Sequence, residues 1–187
     1  QLLDLCAQCH SEAGERRTDP FSYRPGEPLE QSFVQLSWDK PREDDHTGNQ
    51  VRYLQQSRCF ENSSELTCIT CHDPHQPEGP KNAASARRSC LPCHQAAHCG
   101  AQERLPAAMR GRRIDCHMPQ KHVMSIRFHT PTDDYVPLVT RREHRIGVYP
   151  DTMQELLIEW HRAQAGADHL AHAQELTGQL GGKRRAE

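Results

Sequence analysis

Hydrophobic residues are sparse along most of this chain and regularly spaced only near its C-terminus. There they recur at helical spacing: Met153, Leu156, Leu157, Trp160, Ala163, Ala167, Leu170 and Ala171. Thr152 and Glu155 have the spacing of a capping box, which favours a helix start. The pattern predicts an amphipathic helix that begins at Thr152, that Gly166 kinks or divides, and that the pair Gly181 and Gly182 ends.

The remaining pattern predicts short elements separated by long loops. Short helices are expected over three stretches: 47–60, 83–93 and 102–110. Proline recurs in 11–45 and in 73–82, so both segments predict loops, while 131–139 should be extended. We therefore expect a mostly α fold with much irregular loop. We also expect two parts, a domain over residues 1–148 and a helical extension over 149–187.

Composition makes a self-sufficient hydrophobic core unexpected. Leu, Ile, Val and Phe together number 30 of 187 residues, a fraction that indicates disorder when net charge is large. Here the net charge is only −2, whereas 9 cysteines and 13 histidines are present. A chain of this kind can fold if a prosthetic group or a dense covalent framework supplies the missing stabilisation.

Several classes of protein are excluded early. No run approaches the roughly 20 apolar residues that span a bilayer, so no transmembrane segment is expected. Residues 1–5 lack the length and basic flank of a signal peptide. A net charge near zero gives no overall attraction to nucleic acid, and none is expected as a partner.

Six of the nine cysteines occur in three Cys-x-x-Cys pairs, each followed directly by histidine: Cys6, Cys9 and His10; Cys68, Cys71 and His72; Cys90, Cys93 and His94. This is the attachment motif of c-type haem. Two thiols must reach the two vinyl groups of one porphyrin, and the adjacent imidazole must bind its iron. Random placement predicts roughly 0.03 such pentapeptides in this chain, so three of them indicate haem.

Two other uses of these cysteines are less favoured. Paired Cys-x-x-Cys units build zinc ribbons and fingers, but zinc does not require histidine immediately after the second cysteine. A disulfide framework is less favoured, because disulfides within Cys-x-x-Cys are usually redox-active and not structural.

A fourth, incomplete motif surrounds Cys116 and His117, with Arg113 where a first cysteine would stand. A haem there could be held by Cys116 alone, or Cys99 could supply a second thioether through a long loop. Alternatively, no haem is bound and Cys116 is structural. Attachment through Cys116 alone leaves Cys59 and Cys99 free to form a disulfide, whereas the long loop leaves Cys59 unpaired. We expect a haem with His117 as ligand and favour the Cys59–Cys99 bridge.

Four stretches carry a family likeness: 57–60, 66–75, 116–119 and 144–147. Through these stretches the chain resembles multihaem c-type cytochromes, and the likeness covers about residues 5–148. It looks most like the tetrahaem domains that precede tetratricopeptide repeats in some bacterial proteins. Those domains are in turn similar to the tetrahaem cytochromes of ammonia oxidisers and to the haem core of cytochrome c nitrite reductases. The resemblance implies a small fold organised around stacked haems, four in number. It also implies an extracytoplasmic electron carrier or part of a larger redox assembly.

Histidine is the economical choice for the second axial ligand of each iron. The chain has only four methionines, and two imidazoles give a low-potential, six-coordinate haem. His75 follows His72 too closely to reach over the same haem, so it should serve a neighbour. The resemblance implies distal roles for His46, His75, His129 and His144. His98 and His122 are substitutes, and three histidines in the C-terminal helix should be solvated: His161, His169 and His172.

Electron transfer is the function that these features favour, because saturated haems exchange electrons but do not bind substrate. The partners would be redox proteins, and the chain could also be a homo-oligomer or a subunit of a larger cytochrome assembly. A third hypothesis is a reductase or oxidase of a small nitrogen or sulfur compound at an open fourth haem. Nearby groups could attract an oxyanion there: Arg112, Arg113, Lys121 and His122. Against it, the chain has no Cys-x-x-Cys-Lys motif, which marks the active haem of the resembling nitrite reductases.

Overall fold

The computed structural model describes residues 2–11, 13–35, 49–77, 80–123, 128–129, 132, 134–135, 139–164 and 166–183. In these residues the helices are α1 (Leu2–His10), α2 (Gln50–Gln55), α3 (Arg58–Glu61), α4 (Cys68–Cys71), α5 (Pro80–Arg88), α6 (Arg113–His117), α7 (Pro150–Ala163) and α8 (Ala167–Lys183). The strands are β1 (Ala13–Arg16), β2 (Phe33–Gln35), β3 (Gln120–Val123), β4 (Phe128–His129), β5 (Asp134–Tyr135) and β6 (Val139–Arg142). A mostly helical fold with irregular loops and small sheets is therefore confirmed.

The N-terminal part packs around a small core. Strands β1 and β2 pair antiparallel, with Arg16 opposite Phe33, although this segment was predicted to be a loop. Ala7 of α1, Leu29 and Val51 of α2 are buried together, and Cys6 packs against them. This core fixes the last turn of α1, which carries the first cysteine motif.

The middle of the chain is more broken than the pattern predicted. The expected helix over 47–60 divides into α2 and α3 at Ser57, whose buried hydroxyl donates to the Leu54 carbonyl at 2.6 Å and accepts from the Phe60 N–H. The expected helix over 102–110 is absent: Pro106 restricts the backbone, and only a 3₁₀ turn forms at Ala107–Met109. Helix α5 begins and ends earlier than predicted, at Pro80 and Arg88.

An antiparallel ladder joins two parts of the chain that flank the fourth motif. Strand β3 begins three residues after His117 and pairs with β6, with Gln120 opposite Arg142 and Val123 opposite Val139. Strands β4 and β5 form a second short pair in the intervening segment. The extended conformation predicted for 131–139 is confirmed at β5 and at Val139.

The C-terminal helices form an antiparallel hairpin with a core of its own. Ile158 of α7 is buried with Ala173 and Leu180 of α8. The Gln154 side chain donates to the Leu176 carbonyl at 2.8 Å, which links the two helices again. The division of 1–148 from 149–187 stays a prediction. In the described part of the chain, no helix has the length and apolar character needed to cross a membrane.

Of the three features predicted for this helical region, one is confirmed and two need correction. The division at Gly166 is confirmed, with φ +144° between α7 and α8. The start at Thr152 is wrong, because α7 begins at Pro150, whose fixed φ suits the first helical position. The predicted stop at Gly181 and Gly182 is also wrong: α8 continues to Lys183, whose Nζ lies 3.5 Å from Gln154 Oε1 across the hairpin.

The substitution Gly166→Ala should weaken the hairpin. Its φ of +144° is one that side chains with a Cβ rarely adopt. We expect a loss of about 1 kcal/mol or more in the free energy of unfolding. Circular dichroism during chemical denaturation measures this change.

Gly178→Ala is the matched control, because this glycine lies inside α8 with open space around its Cβ position. It should stabilise the protein by about 0.5–1 kcal/mol through helix propensity alone. Equal midpoints for both variants would contradict the role assigned to Gly166.

Candidate functional site

The complete motifs are wound into tight turns that bring their two cysteines to one side. The first occupies the end of α1, and the second occupies α4. The His72 N–H donates to the Cys68 carbonyl at 2.9 Å, and the His94 N–H donates to the Cys90 carbonyl at the same distance. Side chains three apart on such a turn share a face, so each pair of thiols is placed to reach one edge of a single ligand.

The second motif lies between the first and the third. Burial, followed by the charge and hydrogen bond of the nearby Cys6 thiol, raises the pKa of the Cys68 thiol to about 12. Burial also raises the pKa of Cys71, with Cys90 as the next cause. Because Cys6 and Cys90 come from different motifs, groups bound at the three motifs would be close neighbours.

Exposed apolar side chains accompany the motifs. Ile69, within the second motif, is 52% exposed, and Leu91, within the third, is 46% exposed. Leu5, directly before Cys6, is also exposed, as are His72 and the other two motif histidines. A flat, largely hydrocarbon group such as a porphyrin ring, bound at the motifs, would cover these side chains.

His144 faces the histidine of the second motif. The ring centres of His72 and His144 are 6.1 Å apart, and the rings are nearly parallel, with 21° between their planes. Two imidazoles on opposite sides of one metal ion, each bonded at about 2 Å, have centres roughly 6 Å apart. The spacing of this pair therefore fits two axial ligands of one iron.

The environment of His144 keeps its imidazole neutral and oriented. Burial lowers the pKa of His144, and the neighbouring His72 lowers it further, although the hydrogen bond with Arg142 opposes them. Nδ1 lies 3.0 Å from the Arg142 carbonyl, which leaves Nε2 free. A metal-ligating histidine usually donates its other ring N–H to such an acceptor.

In the incomplete motif, a backbone carbonyl orients the His117 ring in the same way as the Arg142 carbonyl orients His144. This residue ends α6, and its Nδ1 lies 2.7 Å from the Gly147 carbonyl. The Gly147 N–H donates in return to the His117 carbonyl at 3.2 Å. Nε2 of His117 is therefore also the nitrogen left for a metal ion.

A carboxylate clamp joins α6 to β6 beside both histidines. One carboxylate oxygen of Asp115 accepts a hydrogen bond from Arg112 Nε at 2.8 Å, and the other accepts one from Arg142 Nη2 at 2.7 Å. Burial alone would raise the pKa of Asp115, but the two arginine hydrogen bonds outweigh it and lower that pKa. The spacing of Arg112 and Asp115 could have indicated this pair, whereas nothing local in the sequence indicates Arg142.

The remaining cysteines are not placed as expected. All nine thiols are free in the structure, so the favoured Cys59–Cys99 disulfide is wrong. The charge of Cys59 acts instead on Cys71 and Cys90, and that of Cys99 acts on Cys116. Burial is the first cause that raises the pKa of the Cys116 thiol.

The other predicted distal ligands are not brought to a motif by the described residues. His46 lies outside these residues, and for His129 and His122 only the strand backbone is described. His75 is exposed, with its N–H donating to Asp73 Oδ1 at 3.0 Å, and His98 is exposed as well.

No preformed metal cluster and no known relative accompanies the motifs. Over the described ranges, no three histidine, cysteine or carboxylate groups converge as a ready metal-binding cluster. Comparison with models of protein families, with curated proteins and with solved structures finds no match to this chain. Its function is therefore inferred from the arrangement of its own residues.

The substitution Asp115→Asn tests the clamp. It removes the charge that two arginines share, at an expected cost of about 1–2 kcal/mol near neutral pH. Because the folded pKa of Asp115 is depressed, its contribution is present above the unfolded pKa of about 4 and is lost as pH falls through the folded pKa. Urea denaturation at several pH values measures this.

Asp19→Asn, at an exposed loop aspartate, is the control and should leave stability nearly unchanged. The difference between the two variants should shrink in acid. A difference that stays constant from pH 7 to pH 3 would show that the carboxylate charge is not what holds α6 to β6.

Proposed function

We propose that this chain is an electron-transfer protein that carries three or four covalent c-type haems, most of them with two histidine ligands. The spacing of 6.1 Å between the His72 and His144 rings supports this most directly. An imidazole from a distant part of the sequence lies near the histidine of a complete motif. When bound, the haem iron accepts and releases a single electron. The fold would be a small multihaem cytochrome organised around stacked haems.

The residues that would hold the haems follow the motifs. Three haems would be attached through pairs of thiols and ligated by the next residue: Cys6 and Cys9 with His10, Cys68 and Cys71 with His72, and Cys90 and Cys93 with His94. A fourth would use Cys116 and His117. The hydrogen bond from His117 Nδ1 to the Gly147 carbonyl supports this assignment, because it orients Nε2.

The protein residues would orient and saturate the iron sites. His72 and His144 would both hold the iron of the haem at the second motif, which would leave no open position for a substrate. The clamp of Asp115 with Arg112 and Arg142 would fix the end of β6, from which His144 extends. Arg112 is therefore engaged with a carboxylate, which weakens the proposal of an oxyanion site, and we favour the carrier over the enzyme.

The closeness of the motifs supports passage of electrons along the chain. Cys6 lies against Cys68, and Cys71 lies near Cys90, so neighbouring haems would be in close approach. Covalent attachment of haem would place the protein outside the cytoplasm, in the periplasm or the extracellular space. Its partners would be redox proteins, in solution or within a larger cytochrome assembly, and we also propose a homo-oligomer as one form of such an assembly.

The substitution His144→Ala tests this function in the haem-loaded protein. It should convert one haem from low-spin to high-spin, because a single axial position opens. That haem should then bind carbon monoxide when reduced, while the total haem content stays unchanged. Absorption and electron paramagnetic resonance spectra measure both effects.

Arg145→Ala is the matched control, since this exposed neighbour changes the same segment without removing an imidazole. It should keep the low-spin spectrum of the native protein. If His144→Ala also keeps that spectrum and still excludes carbon monoxide, His144 is not an iron ligand and the proposed pairing is wrong.

A further inference from the structure

Three histidines that belong to no haem motif meet at the connected end of the C-terminal hairpin. His161 lies near the end of α7, whereas His169 and His172 lie on one face near the start of α8. Nδ1 of His161 is 3.0 Å from Nδ1 of His169. The ring centre of His161 is 5.3 Å from that of His169 and 4.5 Å from that of His172. The expectation that these side chains are solvated is confirmed for the exposed His172, whereas His161 and His169 are half-buried.

These separations match those of imidazoles that share one metal ion at neighbouring positions. With metal–nitrogen bonds of about 2.0–2.1 Å and angles of roughly 90–110°, the ligating nitrogens are about 2.9–3.4 Å apart. The ring centres are then roughly 4.5–5.2 Å apart. The nitrogen separation of 3.0 Å and the ring separation of 4.5 Å fall within these ranges, and the ring separation of 5.3 Å lies just above its range.

The surroundings of the cluster support ligation. Trp160 packs edge-on against His161 and His169, at 4.8 and 5.5 Å between ring centres. Glu175 Oε2 lies 3.6 Å from His172 Nδ1, where a carboxylate can orient a ligating imidazole through its second nitrogen.

We propose that His161, His169 and His172 bind one divalent transition-metal ion of the class that prefers imidazole, namely copper, zinc or nickel. As they stand, no three such groups among the described residues converge as a ready ligand set, so His172 must turn toward the other two. The bound ion would cross-link α7 to α8 beside Gly166. This site is separate from the cysteine motifs and does not depend on the proposed electron-transfer function.

Copper(II) alone is the probe, added to the full chain with its haems in place. Electron paramagnetic resonance distinguishes its signal from that of ferric haem and reports the number of nitrogen ligands. The native chain should show a site with two or three nitrogens. His169→Asn and His172→Asn should each weaken copper binding by about 10-fold or more, since each removes one ligand. Gln174→Ala, exposed on the same helix, should leave binding unchanged.

A second measurement separates ligation from a folding defect. Zinc(II) should raise the unfolding temperature of the native chain and of Gln174→Ala, but not that of His172→Asn, whose exposed side chain can be replaced without loss of packing. Copper bound with equal affinity and an equal nitrogen count in all four proteins would overturn the proposal. Absence of any bound copper at millimolar concentration would overturn it as well.

Discussion

The supply of apolar side chains limits how this protein can pack. Among the described residues only ten hydrophobic side chains are buried, and the clusters they form are small, such as Ala7 with Leu29 and Val51. Meanwhile Ile69 and Leu91 are about half exposed inside the cysteine motifs themselves. A large apolar group bound at the motifs would cover these side chains. The proposed haems would thus serve packing as well as electron transfer, because burial of apolar surface is the main favourable term in folding.

The short ladder of β3 and β6 carries the long-range organisation of the site. It returns the chain to α6 after a long excursion, and the clamp at Asp115 then holds Arg142 at the end of β6. The guanidinium of Arg141 lies 4.8 Å from the centre of the Tyr53 ring, which ties the same strand to α2. Together these contacts bring His144 to His72, whose positions in the chain are far apart. Few residues are involved, but each makes a charged or aromatic contact that restricts the position of β6.

Local chemistry was predictable from the sequence, whereas pairing between distant segments was not. Cys-x-x-Cys-His fixes its own turn, and a helical period marks α7 and α8, so these could be recognised from neighbouring residues. The partner of His72 depends on a strand register, and the strands in 11–45 lie in a segment whose prolines predicted only loop. The helix stop at Gly181 failed because Leu180 packs in the hairpin core, and tertiary contact outweighs the weak helix propensity of glycine. The cluster at His161 was missed because a turn at Gly166 folds α8 back on α7.

The most direct test of the account is the mass of the intact protein, produced in a host that exports it and matures c-type cytochromes. Digestion of the same material would assign each added group to its cysteines. We predict an increase equal to three or four haems, with three of them on peptides that contain His10, His72 and His94. A folded protein whose mass equals that of the polypeptide alone would contradict the account.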